Sequence, residues 1–502
     1  MRRAVDVLRL PAMLLPGPFL LLLVLSGPMR SEEVTSSMQD IMYSPEEWQS
    51  VTMTRFARAS AVGPRYVGVA SSGGLLFYDR MQDRWSMPLT RSDGLPETDI
   101  RAIGREESGG FYVETRRGSG VVEPSEGRFR SDPFASPQRV RRAELPANLF
   151  AGPRFQFLGP GGGIAGPADV RAEIMDVTAD EGSGLWIATW GLGVGRAELR
   201  ARRLEMLPHG LWTPEVRAVA VRPGALAAGG TGQQYGSGGI SRWERGRDRW
   251  EWDLAAQEPG LLGDRVWALA WQGRVLWAGL DGGLARRSVS GRWKTWTTAQ
   301  GLPDARVTAL AAGEESVWVG TGRGAAVVVS DTLRWIGLPR SASVRAVAAG
   351  QGGAWFASSL GAFVWRGGGS EGSLARLQHP EGRLGSGADA VATGDGEVWW
   401  AGPMGVLRYQ PTEGTWLDVP PRQPFRPGEV RGMAVDGENV WVATMDGLHR
   451  LIRSTGQWFR YDEADGLLDQ RVLCIALHEA EVWLGTPRGL TRFDTRLRRN
   501  SR

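Results

Sequence analysis

Residues 300–324 read QGLPDARVTALAAGEESVWVGTGRG, and residues 465–489 read DGLLDQRVLCIALHEAEVWLGTPRG. Gly301 and Gly466, Arg306 and Arg471, Val307 and Val472, Trp318 and Trp483 are all offset by the same 165 residues. The sentence recurs at Trp277, Trp355, Trp399 and Trp441, with spacings of 41, 37, 44, 42 and 42 residues from Trp277 to Trp483. Trp186 anchors another copy, and Leu226, Tyr112 and Tyr66 hold its place in weaker ones, which makes ten copies. Each copy has four parts: an alternating apolar stretch such as RVTALAA, a VWVGT-like stretch after a polar turn, a stretch opening with Gly six residues after the Trp, and a short stretch around a second Trp. Four short strands every forty-odd residues is the period of a β-propeller blade. The pattern predicts an all-β protein, a β-propeller of about ten four-stranded blades, with two smaller propellers of about five blades as the alternative.

The repeated positions have physical reasons. Trp supplies a large apolar plate for packing one blade on the next. The residue two further along points to the same strand face and is small: Gly279, Gly320, Ala357, Ala401, Ala443 or Gly485. The first stretch also carries a small residue at a fixed place, as in Ala218, Ala268, Ala309 and Cys474, which fits crowding near a propeller axis. Asp176 breaks that rule in the Trp186 copy. The last copy has three strand-like stretches and no fourth, so a strand within 40–50 is expected to supply the missing edge.

Composition narrows the function. The 502 residues are 42% hydrophobic and 23% charged, which marks a folded chain. Net charge is only +4, and the basic residues are scattered Arg with a single lysine, Lys294, so no nucleic-acid groove is expected. One cysteine, Cys474, excludes an intramolecular disulfide and a cysteine metal cluster. The four histidines fall in different copies, none at ligand spacing, and no metal or other cofactor is expected. GGGIAG at 161–166 lacks the strand, helix and acidic residue of a dinucleotide fingerprint and reads as a hairpin turn.

The N-terminus carries Arg2, Arg3 and Arg9, an apolar run from Phe19 to Leu25, and then a polar stretch. That order is a secretory signal peptide or an uncleaved signal anchor, the only membrane attachment expected, and it predicts a periplasmic or extracellular protein. The chain thus divides into this signal segment at 1–32, a segment with the ring-closing strand at 33–50, repeats at 51–495 with an insertion at 130–172, and a basic tail at 496–502.

GLPDARVTALAAGEESVWVGTGRG and DEGSGLWIATWGLG resemble the two-component regulator propeller repeat. The resemblance covers roughly residues 45–495. It implies a periplasmic β-propeller sensor, here without the kinase or other output half that usually follows. The implied function is a non-catalytic ligand- or protein-binding module of the cell envelope, with no catalytic residues. A propeller lyase or hydrolase, with Asp176 as its one first-strand acid, and a structural envelope scaffold are the alternatives.

The loops before each first strand and between second and third strands open on one face, because strands alternate in direction. That face gathers Arg265, Arg306, Arg323, Arg471 and Arg488, with Trp190 and Trp267 as aromatic walls. Cations beside aromatic plates suit a small anionic or glycan-like ligand, or an acidic patch on an envelope protein. The bland reading pairs these Arg residues with neighbours such as Glu215, Asp304, Glu429 or Asp469.

Overall fold

Each copy of the repeat folds as one antiparallel sheet, giving nine sheets of four strands and one of six. The computed structural model describes residues 47–496, apart from 107–108, 139–141, 181, 233–237, 246–248, 351–352, 368–370, 418 and 420–424. The expected signal segment, most of 33–50 and most of the basic tail lie outside the described residues.

The repeated residues shape the sheets through two local devices. Between the second and third strands, the hydroxyls of Thr321, Thr444 and Thr486 donate to the carbonyls of Gly324, Gly447 and Gly489, three residues on, at 2.8, 2.8 and 2.9 Å. Those glycines have φ of 104°, 101° and 149°, conformations that L side chains rarely adopt, which is why Gly recurs six residues after the Trp. The small residue two after the Trp is demanded by the next blade. A Cβ on Gly279 would lie 2.7 Å from Val307, and one on Gly320 would lie 2.5 Å from Val344.

The ten sheets divide seven and three, rather than sharing one axis or splitting five and five. Seven blades span residues 218–253, 266–296, 307–335, 344–376, 390–417, 430–461 and 474–494, numbered 1 to 7 here. An apolar cluster lies between each blade and the next, from Ala227 and Leu276 between blades 1 and 2 to Tyr461 and Val482 between blades 6 and 7. The circuit closes where Trp483 and Leu490 of blade 7 pack with Val219 and Leu226 of blade 1, and Val216 N–H donates to the Thr486 carbonyl at 2.9 Å. Blade 7 takes its fourth strand from Trp48–Val51, which pairs antiparallel with residues 490–493. Trp48 stacks on Phe493 at 4.4 Å and is buried against Tyr461.

The other three sheets (57–85, 102–131 and 156–207) form an arc inserted between that closing strand and blade 1. The first arc sheet packs on the third through Val69 and Trp186, and on the second through Phe77 and Phe111. Described parts of the 130–172 segment run beside the innermost strands of the second and third sheets, and Phe150 bridges Arg203 on the outer strand of the third. Gln138 bridges Arg105, Arg142 bridges Thr178, and the hairpin Gln156–Phe157 and Ile164–Ala165 adds two strands to the inner edge of the third sheet.

Ring and arc are joined through buried residues 52–55. Arg55 is 4% exposed; its Nε donates to the Trp212 carbonyl at 3.0 Å and its Nη1 to the Gly191 carbonyl at 2.9 Å. Its guanidinium lies 4.2 Å from the centre of the Trp212 ring. His209 sits beside it, held by Thr54 and walled by Trp85 of the arc and Trp250 of the ring. Burial pushes its imidazole down to about 3.

Candidate functional site

Innermost strands carry a bulge just before the small position. The pairing register slips at Trp267, Thr308, Arg345 and Arg431 in the ring, and at Arg58 and Met175 in the arc. A bulge re-aims the extra residue's side chain, so this position is free to vary from blade to blade. Arg345 is spent on an ion pair with Asp389 of the next blade, and Thr308 donates to the Val344 carbonyl at 2.6 Å.

Trp267 gathers a cluster from three successive blades. It is half-buried, and its indole N–H donates to Asp281 Oδ1 at 2.7 Å. The guanidinium carbons of Arg217, from blade 1, and Arg306, from the entrance to blade 3, each lie 5.4 Å from its ring centre. Arg306 Nε also donates to Asp281 at 3.1 Å, and Arg265 approaches the same carboxylate at 3.5 Å. Arg217 is held in turn by Glu215 at 2.9 Å. Burial raises the Glu215 carboxyl, but hydrogen bonds from Thr231 and Arg217 together outweigh it and hold the group below its ordinary range. Three guanidiniums and two carboxylates thus stand around one aromatic plate, with one positive charge in excess.

The other predicted residues fall elsewhere. Arg471 forks onto Asp469 with two contacts of 2.9 Å, and Arg488 reaches the same carboxylate at 3.3 Å. Arg323 lies 3.7 Å from Asp304. The Arg323–Asp304 and Arg488–Asp469 pairs sit 165 residues apart, and Asp304 and Asp469 each accept from the backbone N–H two residues on, at 2.8 and 3.0 Å. The repeated sentence therefore writes the same ion pair twice, and there the bland pairing with Asp304 and Asp469 describes the side chains. Trp190 lies in the arc, with Arg58 4.8 Å above it and Phe56 beside it, and does not join Trp267.

Asp281 is the residue that sequence reasoning missed. It stands in an Asp-Gly step at a turn, where an acidic residue carries no special signal, and only the fold turns it toward Trp267. Asp176 is buried in the arc, where it accepts the Ser60 N–H at 3.0 Å and the Thr178 hydroxyl at 3.2 Å. Its departure from the small-residue rule has a local reason, since it satisfies a neighbouring strand's backbone. Cys474 is half-buried at the seam of blades 7 and 1, with its Sγ 3.8 Å from the Val216 carbonyl, and burial pushes the thiol up to about 12.

No family model matches the sequence, and no curated protein matches it. Solved structures do. PorZ, an essential surface component of the type-IX secretion system of Porphyromonas gingivalis, is 16% identical with a TM-score of 0.55, over 89% of this chain and 87% of that one. The extracellular domain of a one component system from B. thetaiotaomicron is 15% identical, TM-score 0.41, over 87% and 70%. Virginiamycin B lyase from Staphylococcus aureus is 14% identical, TM-score 0.44, over 56% and 94%. At these identities the likeness to PorZ speaks for the fold, which is the propeller type that the repeats predict.

Proposed function

We propose that this chain is an exported, non-catalytic binding module that holds an anionic ligand at the mouth of the seven-bladed ring. The observation that carries the reading is Trp267 between Arg217 and Arg306, with Arg265 on the shared Asp281. The bulge at Trp267 puts this variable position where three blades meet, while the surrounding strands keep to the repeat. Both guanidiniums stand within cation–π range of the ring, and with Arg265 the three cations exceed the two carboxylates by one charge. A carboxylate, sulfate or phosphate group on the ligand would take their remaining N–H donors in place of water. Export is supported by the signal-like order of residues 1–32.

Calorimetric titration with a panel of carboxylated, sulfated and phosphorylated small molecules tests this. Arg306→Ala should weaken binding of a hit about tenfold or more, the scale of a lost charged hydrogen bond. Arg471→Ala, whose side chain stays with Asp469, should leave it unchanged. Equal binding by wild type and Arg306→Ala at equal stability would remove the mouth from consideration.

A further inference from the structure

The seam between ring and arc contains a cleft of about 340 Å³, within the size range of small-molecule sites. Ser72, Arg91 and Ser92 of the arc line one side, Glu463, Leu468 and Arg488 of the ring line the other, and Met53 lies on its wall. Of the Arg residues flagged in the sequence, only Arg488 reaches it. The cleft is distinct from the Trp267 cluster: its ring wall comes from blades 6 and 7, their loops and Pro214, and it shares no residue with that cluster.

Its charges are arranged in an unusual order. Glu463 sits between two guanidiniums, 4.0 Å from Arg91 and 3.8 Å from Arg488. Both distances allow attraction but exceed hydrogen-bond length, so the N–H donors of neither Arg are used on Glu463 in these contacts. All three side chains are about half exposed at the rim, whereas Leu467 and Leu468 are buried. The cleft thus offers two guanidiniums, of which Arg488 also holds Asp469 through its Nε at 3.3 Å, one rim carboxylate, small hydroxyls and an apolar patch within one small volume.

We infer that this cleft binds a zwitterion of the amino-acid or short-peptide class. A free carboxylate would take the fork of Arg91 and the Nη donors of Arg488, whose Nε stays with Asp469. A free ammonium would take Glu463, and an aliphatic side chain would cover Met53 and Leu468. A purely anionic ligand would face Glu463 with like charge, and a neutral sugar would leave all three charges unused. Because the walls belong to ring and arc together, occupancy also fastens the two parts to each other.

The test uses the full chain and leucyl-leucine as the probe, beside its N-acetylated and C-amidated forms and glucuronate. Leucyl-leucine should bind saturably by calorimetry and raise the melting temperature. Either blocked form should bind about tenfold more weakly, as should wild-type dipeptide on Glu463→Gln or Arg91→Ala. Thr98→Trp, on the cleft wall, should abolish binding by filling it. Arg306→Ala should leave dipeptide binding intact, which separates this site from the ring mouth. Lack of saturable leucyl-leucine binding to a folded wild type would overturn the inference. So would equal affinity for both blocked forms, or tighter binding of glucuronate.

Discussion

Ring and arc are written in the same repeat yet solve the problem of the sheet edge in different ways. In the ring every blade has a neighbour on both faces, and seven apolar clusters follow one another until the last meets the first. In the arc the first sheet alone lies between two others, and described parts of the 130–172 segment pair with strands of the second and third sheets. The repeat specifies a sheet and the interface it makes with the next sheet. It does not specify how many sheets close, since Ala70, just before the Ser71–Gly74 turn of the arc, and Gly320, just before the Thr321–Gly324 turn of the ring, hold equivalent places. Closure brings the two ends of the array together, where blade 7 packs on blade 1 and takes its fourth strand from Trp48–Val51.

That contrast can be broken most severely at Trp48. Trp48→Ala removes a side chain 2% exposed that stacks on Phe493. It should cost about 3–5 kcal/mol, the usual range for a buried Trp, and the loss should appear as a large drop in the melting temperature. A ring closed by contacts among the other strands alone would melt as the wild type does.

A smaller effect, confined to the seam, is expected from Arg55→Met. The substitution leaves the Trp212 and Gly191 carbonyls without these donors, at a cost of about 1–3 kcal/mol for each that stays dry. Scanning calorimetry should then show the arc unfolding ahead of the ring, in place of a single transition. One unshifted transition would mean that Arg55 holds nothing that the rest of the seam does not.

The least effect near neutrality, growing with acid, is expected from His209. Its folded value of about 3 lies below the ordinary 6.5, so the native state keeps the imidazole neutral. Above pH 6.5 the group contributes no pH dependence. As pH falls below 6.5 the unfolded chain takes up the proton first, and stability should fall by up to about 1.4 kcal/mol per pH unit until pH approaches the folded value. His209→Gln should flatten that part of the pH–stability curve, and an unchanged slope would assign the acid sensitivity to other groups.

The strands, turns and blade interfaces were legible in the sequence because each rests on a local rule that repeats. Gly324 needs a positive φ, Thr321 ties its turn, and Gly320 makes room for Val344. The division into seven and three was not legible, because it depends on which copies meet across hundreds of residues. The site was legible in part for the same reason. Arg265, Arg306 and Trp267 were found by position on the strand and do converge. Arg471 and Arg488 were found by the same rule but pair with Asp469, and nothing in the pattern of Arg residues tells the two cases apart. Asp281 looks like any turn residue until Trp267 is placed beside it.

The closing strand has a consequence for how the molecule is made. Trp48 and Phe493 are roughly 445 residues apart, so the pairing that completes blade 7 is strongly non-local. Residues 48–51 emerge from the ribosome before the whole repeat array and their partner emerges after it. During that interval the tetrapeptide WQSV, with Trp48 and Val51 uncovered, is an unpaired strand open to association with other chains. The arc, encoded directly after it, can complete its own sheets while blades 1 to 7 are still being synthesised. Its early folding would bury residues 52–55 only once blade 1 arrives, so assembly is expected to run from arc to seam to ring, with the seal as the slow step.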